Sequence, residues 1–241
     1  MCQQPEGQSR RTLLKHLAWT GAGLLATTAI PARLHADEAL VGGPRFTRVP
    51  TSPQGALDAL YTGNARFVDG KTTAPHRNMA RLKEVAASQK PFAAFLGCAD
   101  SRVPVEIIFD QGFGDVFVTR VAGNVADPAI IASLEYGVEV LGAQVLFVLG
   151  HSRCGAVSAT LNGTAVPGQI STLFQHLRRA VKEANFDLGL AIRRNVQIQA
   201  EILSDASPVI VRRIADGTLL IAGGVYNLDS GRVEPVSLPK A

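Results

Sequence analysis

The chain has 241 residues, 46% of them hydrophobic and only 18% charged, which excludes a disordered polyelectrolyte and leaves enough apolar side chain for a folded core. Its formal charge of +4 sits mostly at the start: Arg10, Arg11, Lys15 and Arg33 stand against Glu6 in the first 36 residues, leaving 20 basic and 19 acidic side chains in the rest. A near-neutral remainder excludes the basic footprint of a nucleic-acid binder.

The first 36 residues read as a targeting segment. Ser9-Arg10-Arg11-Thr12-Leu13-Leu14-Lys15 leads into a Gly/Ala-rich apolar run ending at Ile30, a pattern that resembles a twin-arginine export signal. The run is shorter than the roughly 20 apolar residues a spanning helix needs, so the expectation is a signal cleaved after Ala36, leaving no stable membrane anchor. The protein would then be periplasmic or secreted. Trp19, the one tryptophan, would be lost with the signal, and Cys2 is given no role.

Residues 37–51 read as a Pro/Gly-containing linker and 52–241 as a single domain of α/β class, a mostly parallel central sheet flanked by helices. Ser52-Pro53 offers an N-cap and a first-turn proline to an amphipathic helix carrying Leu57, Leu60, Tyr61, Phe67 and Val68. A second helix is expected over 78–88. Short apolar runs bounded by Gly, Pro or Asp predict strands at 92–97, 116–121, 145–150 and 219–222. Asp127-Pro128 caps a helix whose Ile130, Ile131, Leu134, Val138 and Leu141 share a face, and further helices are expected from Ala156 and over 170–183. The tail from Tyr226 to Val233 predicts a turn into an edge strand. His76 and His176 are expected to face solvent, and Asp110 and Asp115 to cap and turn.

Two strands run into metal-ligand side chains. The first ends in Cys98-Ala99-Asp100-Ser101-Arg102 and the second in His151-Ser152-Arg153-Cys154. Sites in parallel sheets form beyond the carboxyl ends of strands, where both clusters fall. His151 and Cys154 are three apart, so a helical turn would put them on one side, with Cys98 joining from the neighbouring strand. In an exported protein the pair Cys98 and Cys154 would ordinarily suggest a disulfide. The adjacent Asp100 and His151 favour zinc instead, loaded before export of the folded chain, with one position open for chemistry. Two thiolates and an imidazole would make that centre formally neutral, so bound water would ionise above the pKa near 7 of an all-histidine site, and activity would favour alkaline pH. Asp100 would either fill the fourth position, closing the site, or pair with Arg102 and leave it open.

The motifs Gly63-Asn64-Ala65-Arg66-Phe67, Gln89-Lys90-Pro91-Phe92, Cys98-Ala99-Asp100-Ser101-Arg102-Val103-Pro104, Phe109-Asp110-Gln111-Gly112-Phe113-Gly114-Asp115-Val116-Phe117-Val118, Ala122-Gly123-Asn124, Glu135-Tyr136-Gly137 and Gly150-His151-Ser152-Arg153-Cys154-Gly155, in this order, resemble the β-class carbonic anhydrases. The likeness extends to the Gly-Gly-Val-Tyr segment at 223–226 and covers most of the chain after the signal. It implies the β-carbonic anhydrase fold and one Zn²⁺ per chain on Cys98, His151 and Cys154. It also implies an Asp100–Arg102 dyad orienting a zinc-bound hydroxide that attacks CO₂ to give bicarbonate. Gln89, Phe117, Tyr136 and the Gly155 N–H would contact substrate, with part of this wall supplied by the partner in a homodimer or higher even oligomer. Ala99 departs from the usual serine or glycine. Two other readings of the same residues are hydrolysis of carbon disulfide or carbonyl sulfide, and a non-enzymatic zinc or thiol redox protein.

Overall fold

The structure, a computed structural model, describes residues 50–239; the twin-arginine segment and nearly all of the expected linker lie outside the described residues. Helix α1 (Pro53–Val68) starts where the sequence requires, the Ser52 hydroxyl accepting from the Gly55 N–H. Helix α2 (Met79–Val85) is shorter than expected, because it buries none of its residues and nothing holds a further turn in place. Strand β1 (Ala93–Gly97), the single turn α3 (Val105–Ile108), β2 (Val116–Arg120), α4 (Pro128–Glu135), β3 (Val145–His151), α5 (Gly155–Leu161), α6 (Thr172–Glu183), α7 (Leu188–Ala206), α8 (Pro208–Ala215), β4 (Leu220–Tyr226) and β5 (Val233–Val236) follow.

The strands form one sheet in the order β2-β1-β3-β4-β5, parallel except for the antiparallel edge strand β5. Strands β1 and β3 are buried along their whole length, as continuous apolar runs in a covered sheet require. Their alternate residues feed two cores. Phe95 and Phe147 point to one face, where they meet Phe109, Leu60 of α1 and Tyr226; Leu96, Leu146 and Val148 point to the other, against α4 to α8. Among the described residues no helix is long and apolar enough to cross a membrane.

Three departures from the sequence reading have physical causes. Strand β4 runs on through Gly223 and Gly224, where a boundary was expected. A Cβ on Gly223 would lie 2.7 Å from Val196 Cγ1, and one on Gly224 2.7 Å from Val233 Cγ1, so these glycines mark close packing. Helix α7, the longest among the described residues, was not anticipated, because Asn195 and Gln199 interrupt its apolar face although both are fully buried. The helix after Asp127 loosens at Tyr136–Val140 into a π-helical turn, with the Leu141 N–H donating to the Tyr136 carbonyl at 3.1 Å.

Candidate metal centre

Strand register builds the site. Gly97 of β1 pairs with Leu149 of β3, so Cys98 lies level with Gly150, and His151 follows one residue on. Cys154 then stands at the N-cap of α5, which packs against α6 and α7. The ligand atoms of Cys98, His151 and Cys154 all lie within 4.8 Å of one another, and all three residues are buried. The expected convergence of the two strand ends is therefore present, and both cysteines are free thiols rather than a disulfide.

The donor set fits a divalent cation. His151 Nδ1 faces its neighbour's carbonyl, Ser152 O, at 3.0 Å, which places the proton on Nδ1 and leaves the Nε2 lone pair available. That Nε2 is buried and has no hydrogen-bond partner, a costly state unless a metal occupies it. The sulfurs tell the same story: a hydrogen bond from the Cys154 thiol, aided by His151, pulls the Cys98 thiol far below its usual range against the opposing effect of burial. The same contact and burial push Cys154 up, so the two buried sulfurs titrate as a pair. A cation among these atoms would hold both as thiolates. Two sulfurs and one imidazole at this spacing suit Zn²⁺.

Asp100 stands at the open side of the cluster, its Oδ2 3.9 Å from His151 Nε2. Arg102 holds it by three hydrogen bonds, from its main-chain N and Nε to Oδ1, each 2.9 Å, and from Nη2 to Oδ2 at 2.7 Å. That guanidinium keeps the Asp100 carboxyl well below the usual carboxylate range. Of the two arrangements expected for Asp100, the structure holds the one in which it pairs with Arg102.

Two supporting residues were not singled out from the sequence. Arg120, beside Gly97 across the sheet, donates Nε to the Cys98 carbonyl at 2.8 Å and Nη2 to the Asp100 carbonyl at 2.5 Å. Gly123 donates its N–H to Cys98 Sγ at 3.3 Å. A strand-end arginine gives no signal by itself; only the register reveals what it grips.

The expected substrate contacts lie elsewhere within one chain. Gln89 is exposed and precedes the amino end of β1, whereas Cys98 follows its carboxyl end. The intervening strand alone separates them by roughly 17 Å at about 3.3 Å per residue. Phe117 pairs in register with Ala94, four residues before Cys98, and its ring lies 6.2 Å from that of Tyr136. Tyr136 is 48% exposed. Gly155 opens α5 beside Cys154, with open space where a Cβ would be. Two further expectations need correction. His76 is not simply solvent-facing, since its Nδ1 pairs with Asp115 Oδ1 at 2.7 Å. Asp110 does more than turn the chain: it is fully buried and bound to Arg66.

A carbonic anhydrase family profile matches residues 93–233. Carbonic anhydrase 2 of Mycobacterium tuberculosis is 44% identical over 191 residues, covering 76% of this chain and 92% of the relative. The carbonic anhydrase of Mycolicibacterium smegmatis is 38% identical over 193 residues, covering 76% and 93%. Among solved structures, a tetrameric β-carbonic anhydrase of Sordaria macrospora superposes with a TM-score of 0.61 at 26% identity, covering 77% of this chain and 98% of that one. Buried thiols and imidazole at the strand ends, the sheet that brings them together and these likenesses agree, and the chain belongs to the β-class carbonic anhydrase family.

Proposed function

We infer that this chain catalyses the reversible, zinc-dependent hydration of carbon dioxide to bicarbonate and a proton. One observation carries this reading: the orphaned Nε2 of His151 faces two buried sulfurs, beside a carboxylate fixed by an arginine. Zinc held by Cys98, His151 and Cys154 would supply the Lewis acidity that lets water act as a nucleophile. Asp100 is kept ionised by Arg102, so it accepts a hydrogen bond from the attacking water and points that oxygen's lone pair at the carbon of CO₂. One proton of the water leaves to buffer as the C–O bond forms. Arg120 keeps the Cys98 and Asp100 carbonyls in place, which fixes both ligand and carboxylate on one short loop. Asp100 released from Arg102 and turned toward the three ligand atoms would close the site, the off position of the same device.

The working unit is a homodimer or a higher even oligomer in which Gln89, Phe117 and Tyr136 of one copy line the pocket at the other copy's metal, with the Gly155 N–H facing the bicarbonate. The separation of these side chains from Cys98 within one chain supports this, as does the exposure of Tyr136 and of Val140, 65% exposed beside it. The Arg10-Arg11 segment directs export by the twin-arginine route. Secreted protein retaining Trp19 fluorescence would refute cleavage of that segment.

Stopped-flow hydration of CO₂, with zinc content measured on the same sample, tests the main reading. About one zinc per chain and activity that disappears with the metal are expected. Zinc-loaded protein that turns over carbon disulfide or carbonyl sulfide but not CO₂ would reassign the substrate. A metal-free Cys98–Cys154 disulfide in the native protein would make it a redox protein.

A further inference from the structure

Helix α7 carries two amides, Asn195 and Gln199, one turn apart and fully buried within an apolar core. Buried amides persist at such positions only when their polar atoms are paired. Gln199 Nε2 donates to Asn195 Oδ1 at 3.0 Å, which fixes the orientation of both. Their outward atoms go to one place, the loop after β2. Asn195 Nδ2 donates to the Gly123 carbonyl at 2.9 Å, and Gln199 Oε1 accepts from the Ala126 N–H at 2.8 Å. The same loop delivers the Gly123 N–H to Cys98 Sγ.

We propose that Asn195 and Gln199 are positioning residues for the metal centre, a buried amide relay through which α7 sets the N–H···S hydrogen bond on Cys98. Gly123 is suited to be driven this way. It sits at φ +79°, and a Cβ there would lie 3.1 Å from Leu177 and 3.2 Å from Ala156, so its peptide fits only in a narrow slot. Helix α7 is also seated on the ligand-bearing strand, since a Cβ on Gly150 would come within 2.8 Å of Val196. The helix therefore fixes the strand that carries His151 and, through its amides, the donor that faces Cys98. An N–H aimed at a thiolate withdraws electron density from sulfur, so the relay sets how strongly Cys98 donates to the metal.

The proposal rests on Cys98, His151 and Cys154 holding zinc. Its test uses full-length protein carrying Asn195→Leu or Gln199→Met, each close in heavy-atom shape to the residue replaced, and Leu203→Ala as a control that opens a cavity one turn beyond Gln199 without removing an amide. Two readouts are compared: zinc affinity by chelator competition, and the thiolate-to-cobalt charge-transfer band of the Co²⁺-substituted protein. Both relay variants are expected to bind zinc about tenfold more weakly, at the lower end for lost outer-shell partners, with the band moved to longer wavelength. Leu203→Ala lowers thermal stability and leaves the band in place. Should Asn195→Leu fail to fold, Gln199→Met decides. Relay variants with parental affinity and band overturn the proposal, as does a Leu203→Ala band that moves equally. A parent protein that binds no zinc defeats the metal reading as well, and so is told apart from failure of the relay alone.

Discussion

Arg102 grips Asp100 from two directions, its own peptide N–H and its Nε both reaching Oδ1 while Nη2 takes Oδ2. The planar fork satisfies both carboxylate oxygens, which a lysine ammonium cannot do in one geometry. Arg102→Lys should therefore release one oxygen and let Asp100 swing toward the metal. We expect kcat to fall by about 100-fold, the low end for loss of a positioned proton acceptor, with zinc content unchanged. Stopped-flow CO₂ hydration and metal analysis on one preparation check this, and a variant within threefold of the parent would show that the fork is dispensable.

The same pair fixes the sign of the pH response. Hydrogen bonding from Arg102 holds the Asp100 carboxyl below its ordinary range, so it is ionised at every pH above about 4 and its protonation cannot shape activity near neutrality. The acid limb must belong to the water that attacks CO₂, whose ionisation is weakened by a charge-neutral metal centre. We expect kcat/KM to rise from pH 6 to pH 9. Full activity at pH 6 would contradict the charge count at the metal.

How much of this was legible in the sequence depends on whether the signal was local. The ligands were, because each follows an unbroken apolar run into a short polar cluster, and a buried parallel sheet places such strand ends together. Helix α8 had its signals in plain view, with the Ser207 hydroxyl accepting from the Ile210 N–H and Pro208 in the first turn, yet it was not expected. Helix α7 was hidden by Asn195 and Gln199, whose burial is settled only by loop peptides 72 and 73 residues away. Arg120 was illegible for the same reason: its partners are carbonyls just past the end of a neighbouring strand, fixed by register rather than by any pattern along the chain.

Removing the metal should expose the cost of the orphaned imidazole nitrogen and the crowded thiols. A ligand present at 1,000 times its dissociation constant stabilises the folded state by about 4 kcal/mol, and a chelator withdraws that contribution. We expect a clear fall in Tm on chelation and restoration by added Zn²⁺. Cys98 and Cys154 should be inert to thiol reagents in the zinc form and react after chelation. Thiols that react equally in both states would place the metal elsewhere.

The fold has a second charged centre outside the ligand cluster. Asp110 is fully buried at φ +49° and accepts from Arg66 Nε at 2.7 Å, from the Thr73 N–H and hydroxyl, and from the Ala74 N–H. Burial alone would raise its pKa, but these donors outweigh it and hold the group below its ordinary value. A carboxylate whose folded pKa is depressed stabilises the fold above its unfolded pKa, near 3.9, and loses that contribution as pH falls toward the folded value. Asp110→Asn removes the carboxylate charge 2.7 Å from Arg66 Nε and turns an amide N–H toward a donor. We expect a loss of about 3 kcal/mol at pH 7, the low end for breaking a buried pair because Arg66 is 17% exposed. Urea unfolding of parent and variant should show a constant difference from pH 5 to pH 9 that narrows below about pH 4. Loss of zinc in acid affects both proteins alike and cancels from that difference, so a gap that stays constant down to pH 3 would mean that Asp110 acts through packing and not through its charge.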